Sequence, residues 1–370
     1  MLAAVHLLYR YLAKPILFRF DPENVHVHAI ALGEFIGNVP FLSWVTAALF
    51  SQHQPMLSQT VRGMHIVSPI GLAAGFDYEA RLTQVLPDIG FGFGTIGTIT
   101  NRQYEGNARP RLGRLPRSRS LLVNKGFKNL GIDATLARLR GQAFRVPVGL
   151  SIGVTNSAEI RDQQTAIADI ANAFRNAQES SVPFGYYELN ISCPNLLTPV
   201  EFYSPRHLRE LLTAVTLLTP SKPLFIKMPI DKSDEQTFAM LDVIADYPVA
   251  GIIFGNLQKN RQDPALVQEE VARLGKGNFS GKPTEKRSNE LIALAYKNYG
   301  SKLTVVGCGG VFSAEDAYRK IRLGASLVQL ITGMIFEGPQ LIAEINHGRV
   351  RLIKHDGFTN VSEAVGIDVR

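Results

Sequence analysis

Eight short apolar runs, each of strand length and each followed by a longer helix-like segment, set the frame for this sequence. They are Ile70–Ala74, Phe93–Thr98, Val148–Ile152, Tyr187–Asn190, Leu224–Met228, Gly251–Phe254, Leu303–Gly307 and Leu327–Leu330. Strands that are apolar on both faces belong to a parallel sheet covered by helices. Eight such units over about 280 residues predict an α/β fold, a (β/α)₈ barrel. A doubly wound open sheet is the alternative. Against it, the first run leads into GFDYEA and not into G-x-G-x-x-G, so no dinucleotide-binding fingerprint opens the fold. The reading divides the chain into an N-terminal region, 1–60, and a barrel, 61–370.

Residues 1–20 carry Leu2, Val5, Leu8, Leu12, Ile16 and Leu17 near the helical period, interrupted by Arg10, Lys14 and Arg19. This amphipathic segment is too short and too charged to span a bilayer, and suits lying on one. A second apolar stretch, Ile30–Phe50, breaks at Asn38-Val39-Pro40, which predicts a helical hairpin before the barrel. Packing of these helices on the core is the alternative to an interfacial anchor.

Hydrophobic residues make up 45% and charged residues 19%, enough for a large core. Two cysteines cannot build a disulfide framework or a four-cysteine zinc site. The net charge of +7 favours anionic partners. No long basic run, RNP-like aromatic cluster or finger spacing supports nucleic acid among them. The histidines are scattered, with no HExxH, so no metal is expected.

In a barrel the chemistry sits where the strands end. There the sequence places Ala74-Gly75, Thr98, Ser151, Asn190 to Asn195, Lys227, Asn256, Gly309-Gly310 and Thr332-Gly333. Glycine-freed N–H groups after the seventh and eighth runs suit a phosphate. Lys227 needs an anionic partner, either a reduced isoalloxazine or a structural carboxylate such as Asp231. Asn190-Ile191-Ser192-Cys193-Pro194-Asn195 brackets a thiol between two amides, and Asn256 and Asn124 add two more. Such amides match the imide edge of a planar heterocycle. A thiol beside a cation ionises near neutral pH and can serve as a base; the bland reading of Cys193 is a small buried hydrophobe.

Motif order adds a family. FDPENVH (20–26), GLAAGFD (71–77), GFGTIGTIT (92–100), EGNARPRLGRLP (105–116), NKGFKNLGID (124–133), NISCPN (190–195), FSGKP (279–283), GCGGVFSAEDAYRKIRLGASLVQL (307–330) and GFTNVSEAVGID (357–368) resemble dihydroorotate dehydrogenases, specifically the membrane-associated, quinone-using class 2. The resemblance implies FMN and the oxidation of dihydroorotate to orotate in pyrimidine synthesis. A base removes the C5 proton, hydride leaves C6 for the flavin, and quinone reoxidises the flavin through a tunnel between the N-terminal helices. It implies Cys193 as base and Asn124, Phe127, Asn190, Asn195 and Asn256 at the substrate. The FMN shell would be Ala73, Ala74, Gly75, Thr98, Lys227, Ser280, Gly281, Gly309, Gly310, Thr332 and Gly333, with His26 and Arg114 lining the quinone tunnel. A monomer at the bacterial cytoplasmic membrane is expected.

The chain departs from the family pattern on the pocket side. Cys193 stands where class 2 enzymes carry serine. Tyr78 replaces a lysine that contacts substrate and flavin, a loss of about 1.5–3 kcal/mol if nothing replaces its charged hydrogen bond. Leu257 removes a hydroxyl after the sixth run, SIGVTN (151–156) replaces an NxGKNK-like run, and the loop after Asn124 is one residue shorter.

Overall fold

The computed structural model describes residues 1–51, 54–197 and 199–369. Eight parallel strands close into a barrel: β1 (Ile70–Leu72), β2 (Phe93–Ile99), β3 (Val148–Ile152), β4 (Tyr186–Asn190), β5 (Leu224–Met228), β6 (Gly251–Phe254), β7 (Thr304–Cys308) and β8 (Ala325–Leu330). Each pairs with its sequence neighbour, and β8 closes on β1 through Gln329 opposite Gly71. Every expected run is a strand, three of them with the expected limits.

Alternation along each strand separates two cores. Inward, Phe93, Tyr186, Phe225, Ile253, Val306 and Leu327 fill the barrel. Outward, Leu72, Leu150, Leu189, Ile226, Ile252 and Val328 pack beneath the helices. Large interior rings require small neighbours. A Cβ on Gly149 would come within 2.1 Å of the Tyr186 ring, so glycine there makes room for it. Four of the crossover helices start at side-chain caps: Asp162, Ser204, Ser233 and Ser313 each accept from a backbone N–H in the first turn.

Two small sheets were not anticipated. A hairpin, Gln59–Val61 with Met64–Ile66, plugs the barrel floor. Its Arg62-Gly63 turn has φ of 49° and 80°, the positive pair that a two-residue hairpin favours. At the other end Leu112–Leu115, Ser120–Val123 and Asn278–Gly281 form an antiparallel sheet over the mouth.

At the N-terminus Leu2–Leu8, Tyr9–Ala13 and Lys14–Leu17 run consecutively, the middle segment wound as a wider π turn. Pro22–Asn38 follows, capped by Asp21. It bends by 102° into Pro40–Phe50 at the expected break. Among the described residues no single helix is long and apolar enough to cross a membrane. Leu8, Leu12, Ile16, Phe35, Phe41 and Trp44 nonetheless project into solvent from these helices.

Candidate active site

Two adjoining cavities of about 500 and 930 Å³ open at the carboxyl end of the barrel. They share Ala74, Lys227, Asn256, Leu257, Ser280, Ile331 and Thr332. Ala73, Gly281, Gly309, Gly310 and Gly333 line the smaller one. Gly75, Thr98, Phe127, Asn190, Cys193, Asn195 and His26 line the larger. All but two of the expected site residues therefore meet here. The exceptions are Asn124 and Arg114. Asn124 is buried, but its Oδ1 accepts from Asn107 at 3.0 Å and it does not line either cavity. Arg114 Nη1 donates to Phe20 O at 2.7 Å, and its guanidinium covers the Phe18 ring at 4.6 Å, which ties the cap sheet to the N-terminal helices.

The smaller cavity has the shape of an anion cradle. Gly309 and Gly310 have φ of +98° and +72°. A Cβ on either would lie 2.4 Å from Thr284 Oγ1 or 2.3 Å from Glu285 Cβ. Consecutive glycines in this region turn backbone N–H groups toward one point, as phosphate-binding nests do. Ser280 and Thr332 stand beside them, their hydroxyls 2.8 Å apart.

Beneath the cavities runs a buried polar chain. Asn190 Nδ2 donates to Thr98 Oγ1 at 2.8 Å, Thr98 Oγ1 lies 2.9 Å from Ser151 Oγ, and Ser151 donates to Glu188 Oε1 at 2.8 Å. Lys227 Nζ is 3.7 Å from that same carboxylate oxygen. This corrects the structural partner considered above, because Asp231 pairs instead with Lys259 at 2.8 Å. Glu188 escaped notice inside an apolar run. The signal was its position, two residues from Asn190 and so on the same inward face.

Cys193 faces both Lys227 and the larger cavity, yet the expectation of a thiol ionised near neutrality does not hold. Burial pushes it up to about 12, against the backbone N–H of Asn195 and the charges of Lys227 and Lys259, which pull it down. Desolvation outweighs the cations. Around it Asn256 Nδ2 donates to Ser192 Oγ at 2.5 Å, and Asn195 Oδ1 accepts from Asn278 at 2.7 Å. Asn107 is the hub that sequence reasoning missed. It donates to Asn124 Oδ1 and to Asn195 O at 2.9 Å, and accepts from Tyr104 OH and Asn156. Asn156 also donates to Gly126 O and accepts from Leu197 N at 2.6 Å. The two loops that carry the site asparagines are thus fastened to each other.

A family model described as dihydroorotate dehydrogenase matches residues 56–352. The chain belongs to the dihydroorotate dehydrogenase family. It is 35% identical over 364 residues to the "Dihydroorotate dehydrogenase (quinone)" of Mycolicibacterium smegmatis, covering 98% of this chain and 100% of that one. Identity to the protein of the same name from Rhodococcus erythropolis is 34% over 353 residues, covering 95% and 97%. Among solved structures it is similar to DHODH of Eimeria tenella in complex with ferulenol, with a TM-score of 0.83 at 26% identity over 95% of this chain and 96% of that one. Full-length agreement with quinone-named relatives puts the chain in the quinone-linked, class 2 branch of dihydroorotate dehydrogenases.

Proposed function

We propose that this dihydroorotate dehydrogenase converts dihydroorotate to orotate, the oxidation within pyrimidine synthesis, and delivers the electrons to a quinone. The observation that carries the reading is an amide- and lysine-lined cavity, with a thiol in its wall, that adjoins a two-glycine cradle. The cradle suits the phosphate of FMN, because Gly309 and Gly310, in the left-handed region and packed too close to Thr284 and Glu285 for any side chain, leave their backbone N–H groups free to bind its oxygens. FMN would be held by Ala73, Ala74, Gly75, Thr98, Lys227, Ser280, Gly281, Gly309, Gly310, Thr332 and Gly333, and when bound supplies the acceptor for the hydride leaving C6.

The protein's own groups do the rest. Asn190, Asn195 and Asn256 present amides to the ring, with Phe127 along its side, and Asn124 supports them through Asn107. Cys193 Sγ accepts the C5 proton. The accepting form is the thiolate: the thiol is neutral in the free site, so the fraction of sites able to take the proton grows with pH. Lys227 puts positive charge beside the flavin while Glu188 balances it from below.

We read residues 1–60 as the membrane-associating region and 61–370 as the catalytic barrel. The larger cavity reaches His26 on helix Pro22–Asn38 and Ile335, which gives a quinone a route from the helices, and Arg114, outside the lining, ties the cap sheet to those helices. The exposed apolar side chains would rest on the bacterial cytoplasmic membrane without crossing it. We take the functional unit to be a monomer. The test is an anaerobic titration of the flavin-loaded protein with dihydroorotate. Bleaching of the oxidised flavin band is expected. A band that resists dihydroorotate and yields to another dihydropyrimidine would replace the substrate.

A further inference from the structure

Among the described residues, three lysines and no carboxylate line the larger cavity: Lys125, Lys128 and Lys227. Lys227 has an anion, Glu188, 3.7 Å away inside the barrel. Lys125 has none. It is 8% exposed, and its ammonium donates to Tyr78 OH at 2.8 Å while sitting 4.2 Å above the same ring. Lys128 covers that ring too, at 5.5 Å. Glu23, the nearest acid by influence, is already engaged by Arg109 and Arg111 at 3.5 Å each. Glu79 lies 4.0 Å from Arg81. A buried ammonium without a counter-ion is costly, and a cavity wall that keeps one is built to receive an anion from outside.

Tyr78 is itself held. Its ring stacks on His26 at 5.3 Å, its hydroxyl is 3.3 Å from His26 Nδ1, and His26 Nε2 lies 2.9 Å from Phe76 O. Burial and the Lys125 charge push His26 down to about 3, so the ring is neutral. One consistent arrangement follows: His26 Nε2–H donates to Phe76 O, Tyr78 donates to Nδ1, and Lys125 donates to Tyr78.

We propose that Lys125 binds the carboxylate of the substrate, and that Tyr78 and His26 hold its ammonium in place. The proposal rests on the dihydroorotate reading above. It assigns the recognition of the ligand's negative charge to a loop lysine, which compensates for the tyrosine at position 78. Burial lowers Lys125 to about 7, against Glu23 and Glu79, which raise it, and with Lys128 and Arg111, which lower it further. Tyr78 is pushed up, and neither it nor His26 changes charge near neutrality. Anion affinity should therefore be constant below about pH 6.5 and weaken roughly tenfold per pH unit well above 7.

The experiment uses the flavin-loaded full chain, with flavin content and melting temperature checked for each variant. Orotate binding is followed by the flavin absorbance shift, and turnover is measured with dihydroorotate and with its methyl ester. Lys125→Met should raise the orotate Kd and the dihydroorotate KM about ten- to a hundredfold, leaving the ester unchanged. Lys125→Arg should recover most of the affinity and abolish its pH dependence near 7. Wild-type affinity for orotate in a flavin-loaded Lys125→Met protein overturns the proposal. Should that variant lose its flavin, a wild-type Kd that stays flat from pH 6 to 8.5 overturns it equally. An orotate shift that depends on Lys125, in a protein whose flavin dihydroorotate does not bleach, upholds the anion site while the proposed reaction falls.

Discussion

Cys193 and Lys227 share a cavity wall, yet burial leaves one without its charge and gives the other a dedicated anion. With the thiol raised to about 12, only about one site in 10⁵ holds a thiolate at pH 7. At saturating dihydroorotate the rate constant for anaerobic flavin reduction should accordingly rise about tenfold per pH unit between pH 7 and 9. In Cys193→Ala the reduction should all but vanish while orotate still binds, as stopped-flow and titration would show together. Retained reduction would remove the thiol from the chemistry. Glu188 is the complementary case. Replacing it by leucine leaves the buried Lys227 ammonium without its carboxylate. Thermal or denaturant unfolding should show a loss of about 3–5 kcal/mol, far above that of a surface carboxylate.

Among the elements, the glycine pair after β7 carries the most specific prediction. Gly310→Ala forces a side chain into a left-handed backbone and against Glu285. The variant should keep its far-ultraviolet circular dichroism and emerge colourless, or with flavin bound at least tenfold more weakly by fluorescence titration. This site was legible in the sequence because GCGGV follows a strand and because barrel strands, buried on both faces, announce themselves as unbroken apolar runs. The cap sheet was not legible. LGRL and SLLV are short, and Ser120 meets Ser280 across 160 positions, a pairing no local pattern encodes. Lys125 was equally hidden. It reads as a loop lysine until helix Pro22–Asn38 brings His26 up to Tyr78 and the cavity closes around it. Glu188 shows the same limit more mildly, since the inward face was readable but its pairing with Lys227 on the next strand was not.

For the molecule as a whole, the N-terminal helices concentrate apolar side chains that the fold leaves uncovered. Leu12, Ile16, Phe41 and Trp44 are each about half exposed or more, beside Arg10, Lys14 and Arg19. A cluster of this kind marks a contact with another phase. Leu12→Glu combined with Phe41→Glu should lower binding to anionic vesicles at least tenfold in co-sedimentation. Reduction of the flavin by dihydroorotate in solution should be unaffected, because neither residue lines a cavity. Equal sedimentation of variant and parent would place the membrane contact elsewhere.

The strand order also bears on how the chain reaches this state. Thr95 accepts from Gln329 inside the barrel, 234 positions away, and the mouth sheet joins segments that emerge from opposite halves of synthesis. Loop closure on that scale costs chain entropy and is slow, so such contacts are expected to form after the local strand pairs. The pocket mouth is therefore among the last parts to assemble. A flavin present during refolding should leave the early phases untouched and accelerate, or draw to completion, only the final one.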